Sequence, residues 1–187
     1  MAITTAPALL PGTFGGLPQP VLPAGDLVLR PWRADDVDAV VSAYRDPAIQ
    51  HWHARTMSTG EATAWVAHWE DRWARDTGAG WAVTAGGDVV GQVSIRQVHL
   101  HEAAVGFSYW VLPHARGRGV AVDALRTVTA WAFGLGVHRA DLDHSTRNPA
   151  SCRVATKAGF AAEGTAVSRG LHTDGWHDMH LHSRIAP

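Results

Sequence analysis

The sequence predicts a mixed α/β domain of the α+β class, and three observations support this prediction. The length of 187 residues suits one domain. Apolar residues make up 46% of the chain and charged residues 18%, which excludes an intrinsically disordered protein. Segments with strand-like alternation and with helical spacing follow one another in the order β-α-α-β-β-β-α-β-α-β-β. The strand–helix–strand passage in the second half implies a parallel strand pair.

The first 25 residues differ in composition from the rest. Residues 1–25 combine Pro, Gly, Ala and Thr without periodicity. We therefore expect a flexible or extended N-terminal segment, followed by one domain over residues 26–187. The segment contains five prolines and no basic start, which is unlike a secretory signal.

Two helices are predicted in the first half of the domain. The first begins at Asp35 and Asp36, whose charges suit a helix N-terminus, and ends before Pro47. Ser58 and Glu61 form a capping box in front of the second. Its predicted apolar face consists of Ala62, Trp65, Val66, Trp69 and Trp73.

Alternation and turn residues predict the remaining elements. The predicted strands are Leu27–Trp32, Trp81–Thr84, Val89–Val98, Ala104–Leu112 and Arg139–Ser145, with two more at the C-terminus. Residues 86–88, Gly-Gly-Asp, form a tight hairpin turn. A helix begins near Arg118 and stops at Gly134–Gly136, and a shorter helix covers Pro149–Ala158.

Charge and cysteine content narrow the class of protein. Sixteen basic and seventeen acidic residues give a net charge of −1, whereas a general nucleic-acid binder usually carries a strongly basic face. The single cysteine, Cys152, cannot form an intramolecular disulfide, so we expect a cytoplasmic location. Apolar runs are shorter than the ~18 residues of a membrane helix. We therefore expect a soluble protein that binds neither nucleic acid nor membrane.

The segment 116–121, Arg-Gly-Arg-Gly-Val-Ala, follows a predicted strand and begins a helix. Unpaired N–H groups and the helix dipole favour an anion at such a position. The two glycines let the backbone approach a ligand, and the two arginines can pair with phosphate oxygens. A dinucleotide fingerprint would need glycine at Val122 and a Walker loop would need Gly-Lys-Ser/Thr, so neither matches. The segment predicts a pyrophosphate-binding turn, with a plain glycine-rich turn and solvated arginines as the alternative.

The short helix from Pro149 carries a hydroxyl group on an otherwise apolar face. Asn148 is a good N-cap, and Gly159 can close the C-terminus. Ser151 shares its helical stripe with Val154 and two alanines. Its hydroxyl therefore needs a hydrogen-bond partner or a chemical role, and a simple backbone hydrogen bond is the alternative.

Together, the two segments resemble the GNAT superfamily of acyl-CoA-dependent N-acyltransferases, in its RimJ/RimL-like branch. Residues 109–121 match the R-x-x-G-x-G/A loop of that family, and residues 148–160 match its N-x-x-S…K-x-G-F helix. The resemblance implies a mostly antiparallel sheet, splayed at its middle strands, which coenzyme A enters. It implies acetyl transfer from acetyl-CoA to a primary amine, on a protein N-terminus or a small amino compound. The sequence leaves the oligomeric state open between a monomer and a homodimer. A catalytically silent acyl-CoA-binding module, or a longer acyl donor, is the alternative.

The resemblance also implies roles for particular residues. It assigns cofactor binding to Trp110, Val111, Leu112, Arg116, Gly117, Arg118, Gly119, Val120, Ala121, Asn148 and Arg153. A main-chain N–H near Val111 or Leu112 would face the thioester oxygen, and Ser151 would protonate the departing thiolate. His51, Trp52 and His53 would contact the acceptor amine, or else simply pack.

The general base and a metal site are less clearly indicated. The strand before the loop contains no acid, so His99 and Glu102, just upstream, are the candidate bases. His99 ranks first because its ordinary pKa of ~6.5 is nearer the working pH. Histidine pairs occur at 51/53, 99/101 and 180/182, but no Cys pair or His/Glu cluster at zinc-site spacing completes them. We therefore predict no metal and interpret Cys152 as a small buried side chain.

Overall fold

The computed structural model describes residues 4–187, which form one eight-stranded sheet with helices packed on it. The strands are β1 (Leu22–Ala24), β2 (Leu27–Pro31), β3 (Ala79–Ala85), β4 (Asp88–His99), β5 (Ala104–Val111), β6 (Arg139–Ser145), β7 (Ala161–His172) and β8 (Gly175–Ile185). The helices are α1 (Val37–Ala43), α2 (Pro47–His53), α3 (Thr59–Ala74), α4 (Val120–Gly134) and α5 (Pro149–Lys157). None of these helices combines the length and the apolar character needed to cross a bilayer.

The order across the sheet is β1-β2-β3-β4-β5-β6-β8-β7. Neighbouring strands are antiparallel except for β5 and β6, which are parallel. This confirms the predicted α+β class and its one parallel strand pair.

β5 and β6 separate soon after they meet. Their register contains three pairs, from Ala104 opposite Arg139 to Gly106 opposite Asp141. Beyond these pairs β5 continues to Val111 and β6 to Ser145. The strands therefore diverge and leave a gap in the middle of the sheet, as the resemblance implies.

Two hydrophobic clusters hold the helices on either side of this gap. α4 packs through Leu125 and Val128 against strand residues such as Trp81 and Phe107. A second cluster joins α1, α2 and α3 to the end of β5, where Trp110 and Leu112 are buried. The capping box at the start of α3 is present as predicted. The helices on both sides thus fix the open ends of β5 and β6.

The N-terminal segment, which is predicted to be flexible or extended, packs against the domain over part of its length. Phe14 is buried against the rings of Trp73 and Trp131. The Asp76 carboxylate accepts hydrogen bonds from three backbone N–H groups of residues 12–15. A distant carboxylate and aromatic contacts therefore attach residues 12–15 to the domain, and neither leaves a periodic pattern in the sequence. Residues 1–3 lie outside the described range.

α2 lies between Pro47 and Ser58, where the sequence analysis predicts no helix. Asp46 caps it by accepting a hydrogen bond from the Ile49 N–H at 3.0 Å, and Pro47 occupies its first turn. The helix has seven residues and ends at His53, and the next residue, Ala54, has a φ of 50°. Such a short helix carries too little apolar periodicity to be predicted.

Candidate active site

A cavity of about 900 Å³ opens where β5 and β6 diverge. Among the described residues that line it, Asp143 is the one carboxylate. The lysine and arginine residues in the lining are Arg55, Arg72, Arg96, Arg116, Arg153 and Lys157. This excess of positive charge favours an anionic ligand.

The turn at 116–121 presents backbone donors to the cavity. Gly117 and Gly119 adopt φ values of 77° and 84°, which glycine reaches without steric cost. The N–H groups of residues 117–122 have no acceptor within residues 4–187, whereas the Asp123 N–H donates to the Gly119 carbonyl at 3.0 Å. Unpaired donors at a helix start form an anion site, so the turn fits the diphosphate of coenzyme A.

The arginine side chains of this turn are placed differently from the expectation. Arg116 Nη2 lies 2.5 Å from Asp46 Oδ1, and its Nε donates to the Val111 carbonyl at 3.1 Å. Its guanidinium therefore ties the turn to the start of α2 and is not free to pair with phosphate. Arg118 is exposed and lines a separate, smaller cavity of about 140 Å³. The capacity of the turn to bind phosphate thus lies in its backbone.

β5 offers its backbone to the gap at alternate residues. The Leu112 N–H donates to a carbonyl of β4 at 2.9 Å, so alternation directs the Val111 N–H to the gap. Tyr109 agrees with this alternation, because its carbonyl accepts a hydrogen bond from His53 Nε2 at 3.2 Å. The backbones of Trp110 and Leu112 face β4, so the expected oxyanion donor is Val111 rather than Leu112.

α5 places the Ser151 hydroxyl in the cavity. Asn148 caps the helix, and its Oδ1 accepts the Ser151 N–H at 3.1 Å. Ser151 Oγ lies 2.7 Å from the Tyr109 hydroxyl of β5. Burial raises the pKa of Tyr109 to about 12, so the phenol stays protonated. The serine hydroxyl therefore has a side-chain partner, and the two hydroxyls can move a proton together.

Tyr109 is a residue to which the sequence analysis gives no role. Its side chain meets Ser151 although 42 positions separate them. Its position two residues before Val111 on the same strand is the signal that could have indicated it, since residues i and i+2 share a face.

The three residues of α2 expected to contact the acceptor separate into two groups. Trp52 and His53 line the cavity, whereas His51 lies behind them, its ring centroid 4.4 Å from that of Trp52. Burial lowers the pKa of His53 to about 4, so its imidazole is neutral at pH 7. The His51 carbonyl accepts a hydrogen bond from Nδ1 of His172, at 3.2 Å. His172 lines the cavity too, and sequence reasoning missed it because β7 comes 121 positions later.

The structure does not bring His99 or Glu102 to the cavity. β4 lines the cavity with Gln92, Ser94 and Arg96. A strand rises about 3.3 Å per residue, so His99 lies roughly 10 Å beyond Arg96. It is exposed, and Glu102, in the turn that follows, is 68% exposed. The expectation that one of them is the general base is therefore corrected.

A group of four potential metal ligands lies between α5, β6 and β8. His144, Cys152, His180 and His182 each offer one ligand atom, and these atoms all lie within 4.8 Å of one another. The 180/182 pair is thus joined by residues from two other elements, contrary to the expectation that nothing completes it. Cys152 is half-buried in this group. The sequence analysis did not find this group, because its members are distant in sequence and come together only when β6 pairs with β8.

Sequence comparisons identify the family. The acetyltransferase (GNAT) domain family matches residues 26–161. YjcK of Bacillus subtilis (strain 168), named as a probable N-acetyltransferase, is 32% identical over 101 residues. That match covers 53% of this chain and 56% of YjcK, so it spans about half the length of this curated relative.

Solved structures share the fold. RimJ of Mycobacterium smegmatis, in complex with CoA-disulfide, is 25% identical with a TM-score of 0.79, over 89% of this chain and 86% of RimJ. A Salmonella typhimurium acetyltransferase that modifies the N-terminal serine of ribosomal protein L7/L12 is 20% identical with a TM-score of 0.82, over 90% of this chain and 100% of that protein. The matched family domain, together with the divergent strands and the turn before α4, shows that the chain belongs to the acetyltransferase (GNAT) domain family.

Proposed function

We propose that this protein transfers acetyl from acetyl-CoA to a primary amine by direct attack in a ternary complex. The acceptor is an α-amine, carried by a protein N-terminus or by a small amino compound. One observation carries the proposal: a single cavity is lined by residues 117 and 119–122 with their unpaired backbone donors, by Val111 with its N–H, and by the paired hydroxyls of Ser151 and Tyr109. The single cysteine supports a cytoplasmic location.

The backbone of the chain binds the donor. Acetyl-CoA supplies an acetyl group activated as a thioester. The N–H groups at the start of α4 bind the diphosphate, and Asn148 with the open edge of β5 binds the pantetheine arm. The Val111 N–H stabilises the negative charge that develops on the thioester oxygen, an interaction typically worth about 3 kcal/mol in such sites.

The acceptor end favours an amine that is already partly neutral near pH 7. Asp143, the carboxylate of the lining, is paired with Arg96. The pKa of His53, held near 4 by burial, makes it a poor base. An α-amine has a pKa of ~7.7–8.0 and needs little help, whereas a lysine amine at ~10.4 needs an efficient base. The cavity therefore favours α-amines over lysine side chains.

Ser151 delivers a proton to the leaving group. As the carbon–nitrogen bond forms and the carbon–sulfur bond breaks, the Ser151 hydroxyl donates its proton to the departing thiolate. The Tyr109 hydroxyl, 2.7 Å away, replaces that proton and recovers its own from solvent. The surplus proton of the attacking amine leaves to solvent. The pKa of Tyr109, about 12, means that the tyrosine relays a proton and does not remain ionised.

The test is mass spectrometry of amines after incubation with a mixture of acetyl-, propionyl- and succinyl-CoA. The panel pairs each peptide that has a free N-terminus with an N-terminally blocked peptide of the same sequence that contains lysine. We expect acetylation of free α-amines and faster release of CoA when amine is present. Binding of CoA without amine-dependent release would instead identify a catalytically silent module. Acetylation confined to lysine side chains would overturn the proposed acceptor class.

A further inference from the structure

The four-residue group between α5, β6 and β8 has the geometry of a metal site. His144 lies opposite His180 in the register of β6 and β8, and His182 shares the face of His180. Cys152 of α5 joins them, with all four ligand atoms within 4.8 Å of one another. The Nε2 atoms of His144 and His182 are 3.1 Å apart. Ligand atoms around tetrahedral zinc lie about 3.3–3.6 Å apart, so small side-chain rotations are sufficient.

Two buried ring nitrogens of this group lack a hydrogen-bond partner among the described residues. The Nδ1 of His144 donates to the Ser145 carbonyl at 2.8 Å, so its Nε2 is an acceptor, and this atom faces the Nε2 of His182 at 3.1 Å. The Nδ1 atoms of His180 and His182 are buried and have no hydrogen-bond partner among residues 4–187. A buried polar atom left unpaired destabilises the folded protein. Two such atoms beside a thiol indicate a ligand that the protein groups alone do not supply.

The group of three imidazoles and one thiol is a donor set typical of transition-metal sites. A metal ligand must be a neutral imidazole or a thiolate. Three imidazoles and one thiolate suit Zn²⁺ better than the hard cations Mg²⁺ and Ca²⁺, which prefer oxygen.

We propose that His144, Cys152, His180 and His182 bind one Zn²⁺ as a closed structural site. Four protein ligands leave no position for substrate, so the ion does not take part in acetyl transfer. It ties α5 to β6 and β8, and α5 carries Asn148 and Ser151 into the cavity. The ion therefore holds the catalytic end of α5 in place. This proposal stands whether or not the proposed acceptor is correct.

The test uses the full chain, produced without a polyhistidine tag and dialysed against metal-free buffer. We expect elemental analysis to find about one zinc per chain. After removal of zinc, Co²⁺ should give the visible absorption of a tetrahedral site and a cobalt–thiolate charge-transfer band. In Cys152→Ser the charge-transfer band should disappear, and zinc affinity against a chromophoric chelator should fall about 100-fold or more. His138→Asn changes an exposed histidine outside the group and should keep wild-type values.

The folded state is checked by circular dichroism in each protein. Wild-type protein that is folded but holds well under one zinc per chain, and gives no cobalt spectrum, overturns the proposal. Unchanged zinc affinity in Cys152→Ser overturns the four-ligand set. Should that variant not fold, the zinc-dependent rise in the melting temperature of the wild-type protein replaces it, and a melting temperature unmoved by zinc counts against the site.

Discussion

The two ends of the cavity are built in different ways. The proposed cofactor end consists mainly of backbone groups from one continuous stretch, the end of β5 and the turn at 116–121, to which Asn148 is added. The acceptor end is made of side chains that come from α2, α3, β4 and β7, including Trp52, His53 and His172. A backbone site depends on glycines, caps and helix starts, which are local in sequence. A side-chain site depends on the packing of distant elements, so it tolerates different sequences and can change specificity without changing the fold.

The largest expected effect comes from breaking the backbone site. Gly119→Val places a β-branched side chain where φ is 84° and where a Cβ lies 3.4 Å from Asp123 Oδ2. Strain and obstruction of the neighbouring N–H groups should lower CoA affinity by about 100-fold or more, measured by isothermal titration. Gly134→Val, in the same helix with open space around the added Cβ, is the matched control. Wild-type affinity in Gly119→Val would refute the assignment of this turn to the diphosphate.

A smaller effect is expected where the two ends meet, at the paired hydroxyls. Ser151→Ala should lower kcat by about 10- to 100-fold and leave CoA affinity unchanged, because in the proposed mechanism the hydroxyl acts on the leaving group. Tyr109→Phe should lower kcat less, and the double variant should resemble Ser151→Ala, since both residues act through one proton. Thr156→Ala removes an exposed hydroxyl from the same helix and is the control. An unchanged kcat in Ser151→Ala would remove this serine from the mechanism.

At the acceptor end, His53 makes stability depend on pH. Its pKa is about 4 in the folded protein and 6.5 in the unfolded chain, so the unfolded chain binds a proton first as the pH falls. The contribution of His53 to the free energy of unfolding is therefore fully present above pH 6.5 and is lost progressively between pH 6.5 and 4. From pH 7.5 to 5.5 the loss is about 1.4 kcal/mol.

His53→Asn should remove that part of the pH dependence, as measured by urea unfolding at several pH values. The substitution also removes packing contacts, which lowers the free energy of unfolding equally at every pH. The change in that free energy between two pH values therefore reports the effect of protonation alone. His138→Asn, which alters an exposed histidine, should retain the wild-type slope. A slope in His53→Asn equal to that of wild type would show that the imidazole is not buried in a neutral form.

The parts of the fold that local chemistry determines were predictable. The capping box of α3, the bounds of β6 and the N-cap at Asn148 follow from neighbouring residues, and the structure contains each of them. The N-terminal segment and α2 were not predictable, because their order depends on distant partners. The N-terminal segment is held by hydrogen bonds to Asp76. The N-cap residue of α2, Asp46, is paired with Arg116.

The site follows the same rule. The sequence indicated that the Ser151 hydroxyl needed a partner, but the divergence of β5 from β6 decides that Tyr109 meets it. The 180/182 pair was visible, whereas its companions on β6 and α5 became visible once the strand order was known. The prediction that His99 or Glu102 is the general base was wrong for a different reason. Both residues are near the motif in sequence, and we assumed that they are therefore near it in space.

The smallest expected effect tests that correction. His99→Ala and Glu102→Gln should leave kcat and KM within roughly twofold of wild type, because both side chains lie on the surface beyond the cavity. His172→Asn, at a histidine that lines the acceptor end, should by contrast change KM for the amine. Steady-state kinetics from pH 6 to 9 would measure both effects. A kcat lowered tenfold in His99→Ala, with the acid limb of its pH profile displaced, would restore His99 as the base and would mean that the hairpin after β4 folds towards the cavity during turnover.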